Sequence, residues 1–154
     1  MPDYVADKQA AVEWARNLLQ KKFAILDTET LGVDSSAEFI EIAVIDQDGQ
    51  SILNQRVKPT IPIPEEVTKI HGITNEMVAN SPSAYDIWYG VCRALNSKTV
   101  VIYNAEYDLR ILRQTWRKFE GLPWLDNMQI EDAMLEYAKY CGEYNSKFHS
   151  YKWQ

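Results

Sequence analysis

The sequence predicts an α/β domain, a mixed β-sheet with helices packed on it. Three observations lead there. Near the N-terminus, apolar residues recur at helical spacing. Runs rich in β-branched residues then flank a tight-turn signal. After that, short apolar runs alternate with helix-period segments, the order of β-α units. A chain of 154 residues has the length of one domain.

The elements follow in order. Residues 7–21 place Ala11, Trp14, Ala15, Leu18 and Leu19 on one helical stripe, expected to face a core. Residues 23–28 read as a strand and residues 38–45 as a second. Asp48-Gly49 is a two-residue turn signal, so residues 51–57 should return antiparallel. Pro59, Pro62 and Pro64 punctuate a loop. Pro64 opens a short helix with Glu65 and Glu66 in its first turn, ended by His71-Gly72.

Residues 83–95 form the next helix, with Ile87, Val91, Ala94 and Leu95 on one stripe and Ser83 or Ser81 as cap. Residues 99–103 are a wholly apolar strand, of the kind buried on both faces. Residues 106–119 are helical, and Leu122-Pro123 breaks the run. Residues 128–130 read as a short strand and residues 131–140 as a last helix stopped by Gly142. The first strand should be central, with the hairpin at one edge.

Composition excludes several classes. With 46% hydrophobic and 25% charged residues the chain is globular in type. No run approaches the roughly 18 apolar residues of a membrane span. Asp3, Asp7 and Glu13 and the lack of an apolar segment argue against a secretory signal. Cys92 and Cys141 lie far apart, in no metal-binding spacing, which fits a reducing, cytoplasmic setting. The net charge of −6 disfavours broad wrapping of a polyanion, because such affinity comes from neutralising many phosphates. Contact with nucleic acid should span few nucleotides, with cations bringing phosphate to an acidic site.

That acidic site is visible in FAILDTET, residues 23–30. Positions i and i+2 of a strand share a face, so Asp27 and Glu29 project together at the strand's carboxyl end. Open α/β sheets place their ligands at such ends. Two adjacent carboxylates repel and lose solvation, and a divalent cation relieves both effects. Hard oxygen ligands suit Mg²⁺ or Mn²⁺. The plainer alternative is that both acids cap a turn, with Thr28, Thr30 and Gly32 beside them. A calcium-loop reading with Asp34 fails, since that loop needs a helix on each side.

A second stretch bears on the choice. Residues 99–112 run from the apolar strand into a helix, with Asn104 at the junction and Asp108 just inside. Asn104 as N-cap, and Glu106 and Asp108 as first-turn acids, would be ordinary helix chemistry. Asp108 could instead reach across the sheet end to Asp27 and Glu29, completing a three-carboxylate metal cluster.

Here the sequence resembles a known family. FAILDTET resembles the first motif of the DEDD-type, DnaQ-like exonucleases, which include the DNA polymerase III proofreading subunit. EFIEIAVI (38–45) is similar to the strand that follows. PEEVTKIHGIT (64–74) resembles the loop whose H-G-I-T segment contacts the terminal nucleotide. NAEYDLRIL (104–112) resembles the second motif, usually N-A-x-F-D, and NMQIEDAM (127–134) is placed like the segment after it. The matches keep their order over about residues 22–135.

The resemblance implies a ribonuclease H-like fold and one exonuclease-like domain over residues 1–154. It implies 3′→5′ hydrolysis at the 3′ end of nucleic acid, taken as single-stranded DNA, with two Mg²⁺ or Mn²⁺ ions about 4 Å apart. Asp27 would bridge both ions, Glu29 would hold the ion carrying the nucleophilic water, and Asp108 the other. Thr30 and Leu31 would approach the terminal nucleotide. His71, Gly72, Ile73 and Asn104 would help hold it, and Tyr107, where Phe is usual, would stack or pack there. A polymerase or another protein partner is open on the same grounds.

The third motif of the family, H-x4-D on a C-terminal helix, has no match in these residues. The only histidines are His71 and His149, and no acid follows His149. His149 is read as incidental, and FHSYKWQ (148–154) as the approach to the absent helix. The expectation is therefore a C-terminally truncated domain with apolar surface uncovered, partly filled by Phe148 and Trp153. That surface invites partner binding or self-association into a homo-oligomer.

Other features have plain readings. Arg110, Arg113, Arg117 and Lys118 form a solvated basic face, with a path for the substrate strand as the sharper reading. The aromatics around Trp88-Tyr89 and Trp124 read as core and loop anchors. Two functions stay open: a metal-dependent exonuclease, or a nucleic-acid- or polymerase-binding protein that keeps the fold without turnover.

Overall fold

The computed structural model describes residues 2–117 and 125–153. A five-stranded mixed sheet carries the site. Its strands are β1 (Phe23–Thr30), β2 (Phe39–Asp46), β3 (Ser51–Arg56), β4 (Thr99–Ile102) and β5 (Ile130–Asp132), in the order β3-β2-β1-β4-β5. β1 runs antiparallel to β2 and parallel to β4. The first strand is central and the β2–β3 hairpin occupies one edge, as the element order predicted. The Asp48-Gly49 turn closes that hairpin with Gly49 at φ 76°.

Among the described residues six helices flank the sheet: α1 (Tyr4–Leu18), α2 (Glu65–His71), α3 (Asn75–Val78), α4 (Ala84–Leu95), α5 (Ala105–Arg117) and α6 (Ala133–Cys141). α4 and α5 cover one face. There Ala24 and Leu26 of β1 and Ile42 and Val44 of β2 pack with Ile87, Val91, Ile111 and Leu112. Trp116 anchors this core, edge-on to Phe39 at 5.1 Å and to Trp88 at 4.7 Å, its indole N–H donating to Ala84 O at 2.9 Å. Trp88 is thus the core anchor expected, Tyr89 is exposed, and Trp124 lies outside the described residues.

α4 begins with a full capping box. The Asp86 amide donates to Ser83 Oγ, and the Ser83 amide donates to Asp86 Oδ2. Ser83→Ala removes one half of this reciprocal cap and should cost about 1 kcal/mol of unfolding free energy. A urea midpoint equal to that of the parent protein would contradict it.

Several boundaries differ from the sequence reading. β1 extends to Thr30, because Glu29 finds a partner in Glu41 and Thr30 in Phe39 across a bulge. β5 and α6 begin two residues later than predicted, since Asp132 caps α6. α3, capped by Thr74, was not foreseen. The predicted stripe of α1 is only partly buried. Ala11 is buried but Leu19 is exposed, because α1 packs mainly on α6 and meets the sheet at its β5 edge, where Trp14 donates to Glu131 Oε2 at 2.9 Å.

α5 is described as far as Arg117, so Lys118 and the Leu122-Pro123 break lie outside the described residues. Residues 144–151 form a small hairpin, β6 (Tyr144–Asn145) with β7 (Ser150–Tyr151). Tyr151 ties it to α1, donating to Asp7 Oδ2 at 2.5 Å. Phe148 and Trp153 do not fill a gap as expected. They are 68% and 69% exposed, because hairpin geometry turns them outward. Among the described residues, no helix is long and apolar enough to cross a membrane.

The sheet face opposite α4 and α5 is open along β1 to β3. Ile25 of β1 lies opposite Ile45 of β2, and Asp27 lies opposite Ala43, so all four share that face. Ile25 is 40% exposed.

Candidate functional site

Alternation along β1 places Asp27 and Glu29 on the open face. Asp27 is exposed, whereas Glu29 is half-buried where the strand bulges into Thr30. Burial raises the Glu29 pKa, and the charge of Asp27 adds to it. His71 opposes the rise, and Glu41, opposite in register, reinforces it. Arg56 on β3 partly offsets Glu41 through a 2.9 Å ion pair.

Asp108 reaches the same strand end from the first turn of α5, on the other face of the sheet. It is 3% exposed, and Thr28 Oγ1 donates to its Oδ1 at 2.6 Å. Burial pushes its pKa up to about 6. The Thr28 hydrogen bond pulls the other way, and the nearby Asp27 charge adds to the rise. Asp108 is therefore a buried carboxyl group and not the solvated first-turn acid of the plainer reading. Thr28 was missed in the sequence. Its signal was the alternation itself, which turns it away from Asp27 and toward the helix that follows the parallel neighbour strand.

Asp27 thus couples electrostatically to both other acids, and among the described residues no lysine or arginine pairs with any of the three. The donor set is all hard oxygen, and its uncompensated charge fits a divalent cation. Among the described residues, however, no three acidic, histidine or cysteine side chains form a ready metal-ligand group. Asp108 approaches the strand end from the face opposite Asp27 and Glu29. Its carboxylate is turned to Thr28 on its own face.

The other predicted residues gather around these acids in two ways. Thr30 is buried with its Oγ1 2.6 Å from the Tyr107 hydroxyl, which donates to Gly32 O at 2.9 Å. Arg110 lies over the Tyr107 ring, 5.4 Å from its centroid, and donates to Gln114. Gln114 in turn donates to Asp34 O and Ala37 O, so α5 straps the loop after β1. Arg113 pairs with Asp126 at 3.1 Å, so the basic face is not wholly free. Tyr107→Phe keeps the ring and removes the hydroxyl contacts to Thr30 and Gly32, leaving those of Gln114. It should cost about 1 kcal/mol in stability. It should also speed amide hydrogen exchange in the loop at residues 31–37, and unchanged exchange there would refute the strap's role in holding it.

His71 closes α2 with Gly72 in the left-handed C-cap position at φ 78°. His71 Nδ1 accepts the Ile73 amide at 3.0 Å, and its buried Nε2 has no partner among the described residues. Leu31 and Ile73 do not offer their side chains to a ligand. Both are buried in a second small core with Ile40, Ile63 and Val78, which supports the loop from below. Asn104 sits between β4 and α5 at φ 65°, in the left-handed region. It is not the side-chain cap expected: its main-chain carbonyl accepts the Tyr107 amide at 3.0 Å, while Asp132 accepts the Ala105 amide. His149 occupies the β6–β7 turn at φ 51°.

A central strand ending in paired acids, a parallel neighbour leading into a helix with a third acid, and this strand order define a ribonuclease H-like α/β nuclease architecture. Comparisons with known proteins agree. A family model described as Exonuclease, RNase_T, matches residues 24–152. The uncharacterized exonuclease CP81 of Escherichia phage 186 is 42% identical over 143 residues, covering 90% of this chain and 73% of that protein. The DNA polymerase III subunit epsilon of Haemophilus influenzae is 26% identical over 134 residues, covering 79% of this chain and 52% of that protein. Among solved structures, Exonuclease X in complex with 5′-overhanging duplex DNA superposes with a TM-score of 0.59 at 28% identity. It covers 82% of this chain and 69% of that one. The chain belongs to the RNase_T exonuclease family.

Proposed function

We propose that this chain carries the catalytic site of a metal-dependent 3′→5′ exonuclease acting on single-stranded DNA. The observation that supports it most is the coupling of Asp27 to both Glu29 and Asp108 at the end of β1, in a chain of exonuclease family. Asp27, Glu29 and Asp108 would hold Mg²⁺ or Mn²⁺. Such a pair of ions supplies activation of water and stabilisation of the leaving 3′ oxygen.

The protein's own part is positioning. Thr28 orients Asp108, and the Tyr107–Thr30–Gly32 strap fixes the loop that the terminal nucleotide would meet. The His71 Nε2, buried and without a partner among the described residues, and the backbone of Gly72 and Asn104 would contact the substrate end. The DNA bound by Exonuclease X supports a DNA substrate, and the epsilon relatives support a polymerase partner. The free cysteines suit a cytoplasmic setting. Self-association through the uncovered C-terminal face belongs to the same reading.

A 5′-labelled single-stranded oligonucleotide with Mg²⁺ or Mn²⁺ tests this. A ladder shortening from the 3′ end is expected. No shortening with either ion would overturn the proposal. Binding without shortening would favour the second reading, a nucleic-acid-binding protein without turnover.

A further inference from the structure

The helix that carries Asp108 has no side-chain cap from its own flank. Asn104, just before it, sits in the left-handed region and makes no side-chain hydrogen bond among the described residues. The cap comes from the neighbouring strand. Asp132 pairs in register with Ile102 at the end of β4. Its Oδ2 accepts the Ala105 amide at 2.9 Å, while its Oδ1 accepts the amides of Met134 at 2.9 Å and Leu135 at 3.3 Å. One carboxylate thus closes the N-termini of both α5 and α6, where negative charge is favoured by both helix dipoles. Among the described residues no lysine or arginine pairs with Asp132, so its contacts are those of a cap and not of a salt bridge.

We propose that Asp132 is a positioning residue: it holds the first turn of α5, and through it the place of Asp108, by a cap supplied from β5. Ala105 and Asp108 lie in the same turn, so releasing the first amide frees the turn that presents the acid. An amide side chain cannot replace the carboxylate, because it must turn an N–H toward a backbone N–H at one of the two helices. The catalytic consequence rests on the exonuclease reading above; the structural one does not.

Asp132→Asn and Asp132→Ser test the proposal beside Ser83→Ala as control. Serine keeps a cap for α6 but is too short for Ala105, so it serves where the asparagine variant fails to fold. Ser83→Ala removes a cap of similar worth from α4, which holds no candidate site residue. In both Asp132 variants amide hydrogen exchange at residues 105–108 should speed up about tenfold, and Mn²⁺ affinity and kcat should each fall roughly 10- to 100-fold. KM should stay within about twofold, since the loop strap is untouched. Ser83→Ala should change none of these.

Unchanged exchange at residues 105–108, or losses of kcat no larger than in Ser83→Ala, would overturn the proposal. Parent protein that fails to shorten DNA would overturn the exonuclease reading instead. The exchange data would then still decide whether Asp132 holds the turn.

Discussion

Asp27→Asn should abolish 3′-end shortening, with a loss on the order of 10³-fold, while leaving the thermal midpoint unchanged or raised. The two halves have one cause. Asp27 is exposed, accepts no side-chain hydrogen bond among the described residues, and repels both Glu29 and Asp108. Removing its charge costs the fold nothing and relieves two buried or half-buried neighbours. The same charge links the two acids that would hold the cations, and losing several kcal/mol of transition-state stabilisation corresponds to about three decades in rate.

A carboxyl-resolved NMR titration gives a second readout. Asp108 should titrate lower in Asp27→Asn than in the parent, because the Coulombic cause of its rise is gone. Shortening that survives Asp27→Asn, or an Asp108 titration that does not move, would count against this arrangement.

The second large effect is on stability against pH. The fold holds the Asp108 carboxyl near pKa 6, up from 3.8, mainly by burial. A raised carboxyl pKa means that the folded state binds more protons than the unfolded state between those values. Stability from this group is full below about pH 3.8 and is lost as pH rises through about 6. Glu29, raised from 4.5, acts in the same direction. Asp34, Glu76 and Asp86 are shifted down by their own hydrogen bonds and act oppositely, through stability lost at lower pH.

Without divalent metal, the thermal midpoint should therefore fall between about pH 4.5 and about pH 7. Asp108→Asn should flatten that fall and raise the midpoint at neutral pH. Adding Mn²⁺ should reverse the trend, since a cation competes with the proton and stabilises the ionised form. A metal-free midpoint independent of pH, or a slope undiminished in Asp108→Asn, would refute the assignment.

Much of this site was legible in the residues. Alternation in FAILDTET placed Asp27 and Glu29 on one face, and the apolar run at residues 99–103 announced a buried strand leading to Asp108. Proline, glycine and serine marked the ends of α2, α4 and α6 at Gly72, Ser83 and Gly142. These are local signals, written in side-chain period and backbone preference.

What escaped the sequence depends on partners distant in the chain. Thr28 shows its role only when α5 docks and brings Asp108 to it, 80 residues away. Leu31 and Ile73 read as ligand contacts by position, but a second core claims them once residues 57–78 fold over β2. Asp132 is readable as the cap of its own helix, and nothing local shows that its other oxygen holds α5. The stripe of α1 was correct in spacing but not in burial, since its depth depends on what lies across from it.

By itself, then, the sequence determined the order of the elements, the central place of β1 and the shared face of Asp27 and Glu29, because period and turn chemistry are local. The tertiary structure alone decided that Asp108 is buried against Thr28, that Tyr107 straps the loop after β1, and that Asp132 spans two helices. Each of those is a hydrogen bond between segments that only the closed sheet brings within reach.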